Sequence, residues 1–271
     1  MTDFTVYIPS KARQDFQFTY NTLPDSIREK TVVLVPEEEK QAYLEAGIPA
    51  TARPRDVQGI HNVWRYIYGI ARTPVFFILD DDLSFFRWID DNDWHLTPCA
   101  PEEVGELFDK FLDLHDQGFK HATLSTRQMN NNKFPNKVSY NGRANAFHMF
   151  DTHTLRNHNI DPSKSGLHDI HTTLSLFALG YPNAVINNRC WNQARGSGAT
   201  GGCSTYRDGE WQHREVMRLY HQHPDFVKVV YKTPKQGWGE GMKTRTDVTV
   251  YWKRAAKAGG ATRHPTTGTP L

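Results

Sequence analysis

Apolar and polar positions fall in blocks along this chain, and the blocks predict strands and helices in turn. The sharpest is Val75–Leu79, an unbroken apolar run rich in β-branched and aromatic side chains, entered through Pro74. Such a run predicts a strand buried on both faces, as in a parallel sheet flanked by helices. Proline is tolerated at a strand's first residue. Ahead of it, Thr5–Pro9 and Thr31–Val35 read as short strands, with a weak helix around Thr22–Glu29 between them. Pro36 and the acids Glu37, Glu38 and Glu39 then suit the positive end of a helix that runs to Ala46 and stops at Gly47. Ile48–Ala50 begins a third extended piece, and Arg53–Gly59 is a loop. Ile60–Ala71 places Ile60, Val63, Trp64, Ile67 and Ile70 on one side of an amphipathic helix that leads into the central run. A loop followed by a helix start also offers backbone N–H groups to a phosphate.

The same reading continues past the central run. Pro101–Gln117 is a helix with acids in its first turn, His121–Ser125 a strand, and Tyr140–Phe150 a strand containing Asn141, Gly142 and Arg143. Ile170–Leu179 has helical spacing, and Asp169 sits in its first turn. Gly196–Gly202 is a flexible glycine-rich loop, Trp211–His221 a basic helix and Phe226–Tyr231 a strand. Thr233–Thr246 reads as a loop and Val248–Lys257 as a short helix or strand. The βαβ rhythm predicts an α/β fold: one domain with a mostly parallel central sheet flanked by helices. The expected divisions are a core over 1–190, a basic extension over 191–258 and a disordered tail over 259–271, rich in Gly, Pro and Thr.

Chemistry enters directly after the central run, where Asp80, Asp81 and Asp82 follow with no spacer. Open α/β sheets bind ligands beyond the carboxyl ends of their strands. Three adjacent carboxylates there are tolerable if a hard divalent cation such as Mn²⁺ or Mg²⁺ neutralises them. The plainer alternative is a charged loop after a core strand. Asp169 can be an ordinary acid at the positive end of a helix, and the residues alone leave that reading open.

Charge changes the picture further. The 271 residues carry a formal +2, but residues 1–119 hold 11 Lys/Arg against 21 Asp/Glu, a net of −10. Residues 120–271 hold 21 against 9, a net of +12, with 10 of the 13 histidines. An acidic half suited to a cation is joined to a basic half suited to a polyanion. No segment approaches the roughly 20 apolar residues of a membrane span, and the first residues lack a signal peptide's basic and apolar regions. Cys99, Cys190 and Cys203 are odd in number and lack metal-finger spacing, so free thiols in a reducing, cytoplasmic setting are expected.

Three stretches resemble the GT-A glycosyltransferases, which use nucleotide-diphosphate sugars. Tyr7–Arg13 is similar to the family's first strand and the loop against the nucleotide base. Gly59–Arg65, a helix and Phe77–Asp82 resemble the segment ending in the DxD motif. Gly166–Asp169 followed by Leu174–Tyr181 looks like the family's Gly-Glu-Asp segment, with His168 where an acid is common. The resemblance implies a nucleotide-sugar donor, UDP being the usual carrier, on Pro9, Ser10, Arg13, Gly59, Asn62, Arg65, Asp80 and Asp81. It implies Mn²⁺ or Mg²⁺ on Asp80 and Asp82, and Asp169 as the base of an inverting transfer. Within the family, the Ile-Pro-Ser start, the Asp triad and Leu-His-Asp look most like the glycosyltransferases associated with TET/JBP-type thymine and methylcytosine dioxygenases, many of them carried by bacteriophages. The implied acceptor is 5-hydroxymethylcytosine or 5-hydroxymethyluracil in DNA. The basic half would grip phosphates through residues such as Arg127, Lys133, Arg143, Arg195, Arg207 and Arg214. A flipped base would stack on Trp191 or Tyr206. Three other readings stay open: a transferase acting on a glycan, protein or small molecule, a metal-dependent nuclease or nucleotidyltransferase, and a non-catalytic DNA-binding module.

Overall fold

The computed structural model describes residues 2–90, 93, 95–127, 137–193, 201–202, 206–233 and 244–271. The chain begins β1 (Phe4–Pro9), α1 (Phe18–Thr22), α2 (Asp25–Arg28), β2 (Thr31–Pro36), α3 (Lys40–Glu45), β3 (Ala50–Arg53), α4 (Ile60–Ile70) and β4 (Val75–Leu79). It continues with β5 (Leu83–Trp88), β6 (Leu96–Pro98), α5 (Pro101–Asp116), β7 (His121–Thr126), β8 (Val138–Tyr140), β9 (Phe147–Asp151), α6 (Thr152–Asn157), α7 (His168–Ala178) and β10 (Asn183–Gln193). The remainder is α8 (Gly209–Gln222), β11 (Val227–Lys232), β12 (Arg245–Val250) and α9 (Trp252–Ala258).

Among the described residues, ten strands form one sheet in the order β3-β2-β1-β4-β9-β7-β10-β5-β6, with β8 paired to β10. The neighbours β3, β2, β1 and β4 are parallel, β9 runs against them, and β7 and β10 run parallel again. The sheet is thus mostly parallel in direction, as the βαβ rhythm implies, and its chain order reverses between β1 and β4. Ligands bind beyond the strand ends at such a point. The loops leaving β1 and β4 there are Ser10–Arg13 and Asp80–Asp82.

The central run behaves as its composition requires, with every residue of β4 buried. Val75, Phe77 and Leu79 pack into a layer with Phe4, Phe108, Phe111 and Phe147, against α5. Phe76 and Ile78 face the opposite layer, with Trp64, Ile67 and Tyr68 of α4 and Phe150. Burying each such side chain contributes about 1.5–3 kcal/mol, so alternation across two layers fixes the strand's register.

A third, smaller cluster joins Ile170, Leu174 and Phe177 of α7 to Leu219 of α8, Val227 of β11 and Ala255 and Ala256 of α9. Here the later chain is held to the sheet. The approach of α9 to α7 requires Gly259: a β-carbon at that position would lie 1.8 Å from the Phe177 carbonyl oxygen.

Several boundaries differ from the sequence reading. The expected division at residue 190 falls inside β10, which stays paired to β5 as far as Gln193. The stretch Tyr140–Phe150 is two strand ends around a loop, because Asn141 and Ala146 adopt positive φ and break the ladder. Residues 259–271, expected to be a disordered tail, are packed. Ala261 is buried in the third cluster, Leu271 lies against the main core, and Thr266 Oγ1 donates to the Gln117 carbonyl at 2.5 Å. Two apolar anchors outweigh the Gly/Pro/Thr composition. Among the described residues, no helix is long and apolar enough to cross a membrane.

Candidate active site

A cavity of about 1000 Å³ opens at the carboxyl ends of β1 and β4. Its acidic wall is the turn Asp80–Asp82. Asp80 N–H donates to the Ala146 carbonyl at 2.9 Å, which carries the strand geometry one residue past Leu79. The turn is then pinned by Thr19 of α1. Thr19 Oγ1 donates to the Asp80 carbonyl at 2.5 Å and accepts from Leu83 N–H at 2.8 Å, while Thr19 N–H donates to the Asp81 carbonyl at 3.2 Å.

The three carboxylates then have different surroundings. Asp81 accepts from Ser10 Oγ and, at 2.5 Å, from the Arg13 guanidinium, which also reaches Asp82 at 3.1 Å. Ser10 is held in turn by Gln17 Nε2 at 2.7 Å and the Tyr43 hydroxyl at 2.8 Å. Asp82 is 3% exposed, and its Oδ1 has no hydrogen-bond partner among the described residues. Asp80 has its carboxyl pushed well above the ordinary range, first by burial and then by the charges of Asp82, Asp81 and Asp169. Burial also raises Asp81 and Asp82, with Arg13 opposing it in both. Buried carboxylates that repel one another, one with an unmatched oxygen, form a site short of positive charge.

Asp169, in the first turn of α7, lines the same cavity. The loop before it is fastened from α8. Buried Glu215 accepts from Gly166 N–H at 2.7 Å, and a β-carbon at Gly166 would lie 2.5 Å from Trp211 Cζ2. His168 is set edge-on to Trp64 with centroids 4.4 Å apart, and burial lowers its pKa to about 4. It is therefore a neutral neighbour of Asp169 at ordinary pH.

The remaining wall is basic and aromatic. Arg143, Arg207, Lys232, Arg245, Tyr206, Trp211 and Trp252 line it. The Arg207 guanidinium lies 4.9 Å from the centre of the Trp211 ring, and Lys232 and Arg245 flank Asp247 at 2.9 and 3.1 Å.

The family profile of the TET-associated glycosyltransferases matches residues 4–202, which takes in β1, the acidic turn and Asp169. The chain belongs to this family. No curated protein matches the sequence. Among solved structures, the chain is similar to glucosyl-3-phosphoglycerate synthase from Mycobacterium tuberculosis in complex with Mg²⁺ and uridine diphosphate. Identity is 10%, the TM-score is 0.52, and the match covers 92% of this chain and 88% of that one. It is also similar to S. aureus TarS 1–349 in complex with UDP-GlcNAc, at 10% identity and TM-score 0.50, over 80% of this chain and 66% of that one. Both likenesses concern the GT-A fold.

In this family member, Pro9, Ser10, Arg13, Gly59, Asp80, Asp81, Asp82, Asp169, Arg143 and Trp191 all line one cavity. Asn62 and Arg65 do not. The buried face of α4 is Val63, Trp64, Ile67 and Tyr68, and neither Asn62 nor Arg65 belongs to it. Asn62 donates to the Gln58 carbonyl at 2.7 Å, and Arg65 reaches Asp161 at 4.0 Å. The start of α4, expected to face a phosphate, has Ile60 N–H donated to the Tyr206 hydroxyl at 3.2 Å. Arg127 is also off the cavity, with its guanidinium 4.4 Å from the centre of the Phe86 ring. Arg214 contacts Glu215 at 3.4 Å, and Trp191 is buried in the main core with little ring surface left for stacking. Arg195 and Lys133 lie outside the described residues. Arg53, assigned to a loop, ends β3 and lines the cavity from a buried position. Thr19 gave no sequence signal at all, being one threonine in a five-residue helix.

Proposed function

We propose that this glycosyltransferase moves a sugar from a nucleotide-diphosphate sugar, of the UDP class, to the hydroxymethyl group of 5-hydroxymethylcytosine or 5-hydroxymethyluracil in DNA. The observation that carries the reading is that Asp80–Asp82 and Asp169 share the lining of one cavity with Arg143, Arg207, Lys232 and Arg245. The similar solved structures hold UDP with Mg²⁺ or UDP-GlcNAc, which supports the donor class. Among the described residues, no group of three or more His, Cys, Asp or Glu side chains could hold a metal ion unaided. A divalent cation nevertheless fits Asp80 and Asp82. Asp80 and Asp82 would hold it, favoured by their repulsion and by the unmatched Asp82 Oδ1. When bound, such an ion offsets charge developing on the diphosphate leaving group.

The protein's own groups perform the rest. Asp169 takes the proton from the acceptor's hydroxymethyl oxygen. That oxygen bonds to the anomeric carbon as the bond from carbon to diphosphate oxygen breaks, and the nucleoside diphosphate leaves. One displacement from the opposite face inverts the carbon. Arg207, Lys232 and Arg245 hold the phosphates of the DNA strand. The target base has to leave the stack for its hydroxymethyl group to reach Asp169.

The test is mass spectrometry of nucleosides from hydroxymethylated DNA incubated with the protein, Mn²⁺ and a panel of sugar nucleotides. A glycosylated hydroxymethyl pyrimidine is the expected product. Transfer to glycans or small molecules, with DNA untouched, would overturn the acceptor.

A further inference from the structure

The loop from Asn141 to Ala146, between β8 and β9, is restrained beyond what its length requires. Asn141 (φ 54°) and Ala146 (φ 60°) both carry a β-carbon in the left-handed region. Such a conformation persists where the surroundings over-determine it. The surroundings here are specific. Ala146 offers its carbonyl to Asp80 N–H at 2.9 Å. Asn183, fully buried, brackets Gly142: its Oδ1 accepts from Gly142 N–H at 3.0 Å and its Nδ2 donates to the Gly142 carbonyl at 2.9 Å. Asn141 is 4% exposed, and its Nδ2 donates to the Ala261 carbonyl at 2.7 Å. Lys253 Nζ donates to the adjacent Tyr140 carbonyl at 2.6 Å.

Between these fastenings, Arg143 and Asn145 line the cavity. Arg143 is exposed, and its guanidinium makes no hydrogen bond or ion pair with any described residue. Ala261 belongs to the packed segment beyond α9, which is itself tied to α5 through Thr266 and Gln117. A rigid loop holding an unmatched cation at the lining of the cavity suits recognition of an anion.

We propose that Asn141 is a positioning residue. Its bond to Ala261 latches the loop to the segment beyond α9, and the latched loop presents Arg143 to a phosphate of the acceptor strand. Asparagine fits both demands, because it tolerates the left-handed backbone and still supplies an N–H donor. The inference rests on the reading that the acceptor is DNA.

The test is a double-mutant cycle of Asn141→Gly and Arg143→Gln, read as the concentration of hydroxymethylated duplex giving half the maximal single-turnover rate. Glycine keeps the backbone angle and removes the latch. Each single change is expected to raise that concentration roughly tenfold, the scale of one hydrogen bond to a charged group. If Asn141 acts through Arg143, the double variant is no worse than Arg143→Gln alone. Independent losses that multiply to about a hundredfold would overturn the role. Asn141→Asp tolerates the same angle but lacks the Nδ2 donor, so it repeats the measurement in a second fold background. Hydrogen exchange separates this inference from the proposed function. The amides of Asn141 and Gly142 are expected to lose protection in Asn141→Gly while β1 and β4 keep theirs, and unchanged protection would overturn the latch. A parent protein that leaves DNA unmodified would overturn the acceptor instead, whatever the exchange shows.

Discussion

The acidic and basic walls of the cavity hold their charges in different ways. On the acidic wall, Arg13 is 11% exposed at its side chain and sits between Asp81 and Asp82. Ser10, Gln17, Tyr43 and Thr19 fix the surrounding atoms. On the basic wall, the Lys232 side chain is 53% exposed and shares Asp247 with Arg245, while Arg207 rests on an aromatic ring. The first arrangement is preorganised for one ligand geometry at low dielectric. The second keeps its charges near solvent, where they attract phosphates without dictating one pose. A diphosphate donor is a single small shape, whereas a nucleic-acid strand presents a repeating anion, and under the proposed function each wall would suit its own partner.

The sharpest way to break this comparison is to remove a carboxylate. Asp82→Asn is expected to abolish transfer, because an amide oxygen substitutes poorly for a carboxylate at a divalent cation. Calorimetry of UDP-sugar with and without Mn²⁺ reads the cause: the parent's affinity should depend on the metal, and the variant's should not. Asp80→Asn should also abolish transfer, yet without metal it should melt above the parent. It removes a buried charge that its neighbours repel. A metal-free melting temperature below the parent's would show that Asp80 is held by something other than its ligand.

Next in size is Asp169→Asn, expected to slow single-turnover transfer by about 10²–10⁴-fold while donor affinity stays at the parent value. Near-parent rates would remove Asp169 as the base. Collapse of donor binding would make it part of the acidic wall instead, a residue of the donor site.

How much of this could be read beforehand follows from which signals are local. An apolar strand ending in three acids, and an acid in the first turn of a buried helix, are contiguous patterns. Asp80, Asp82 and Asp169 were therefore visible in the chain as candidates, and all three line the cavity. The βαβ order of the first half was visible for the same reason. Asn62 and Arg65 lie off the cavity because a motif names a segment while helical phase decides which of its residues face inward, and in α4 those include Val63 and Trp64. Thr19, Glu215 and the Asn141 latch could not be seen, since each works through backbone groups far away in sequence: 61 residues from Thr19 to Asp80, 49 from Glu215 to Gly166 and 120 from Asn141 to Ala261. The packed segment over 259–271 was misread because composition reports average tendencies, and here Ala261 and Leu271 supply the anchors.

Thr19→Val sharpens the comparison at a residue that touches no ligand. Valine matches the shape but leaves Leu83 N–H and the Asp80 carbonyl without their hydroxyl partner. The expected cost is about 1–3 kcal/mol by urea unfolding. Mn²⁺ affinity in the presence of UDP should weaken, read by the loss of free-ion paramagnetic signal, because the turn bearing Asp80 and Asp82 loosens. A stability loss with unchanged Mn²⁺ affinity would reduce Thr19 to a core residue.

The smallest expected effects lie on the basic wall, and salt is the instrument that reads them. If Arg207, Lys232 and Arg245 each meet one phosphate, log affinity for duplex DNA falls linearly with log salt, at a slope near −0.9 per contact. Arg207→Gln and Lys232→Gln should each flatten that slope by about 1 and weaken binding only a few-fold at moderate salt. Donor affinity should not move in either variant, since neither side chain belongs to the acidic wall. The exposure of Lys232 makes it the more informative of the two. A solvated ammonium contributes through counterion release, so its loss should fade as salt rises. Arg207 also stacks on Trp211, and part of its contribution should persist at high salt as a cation–π contact. Equal and complete fading for both variants would mean that the Trp211 stack plays no part in holding the strand. A slope near zero in the parent would leave the basic wall without a polyanion to hold.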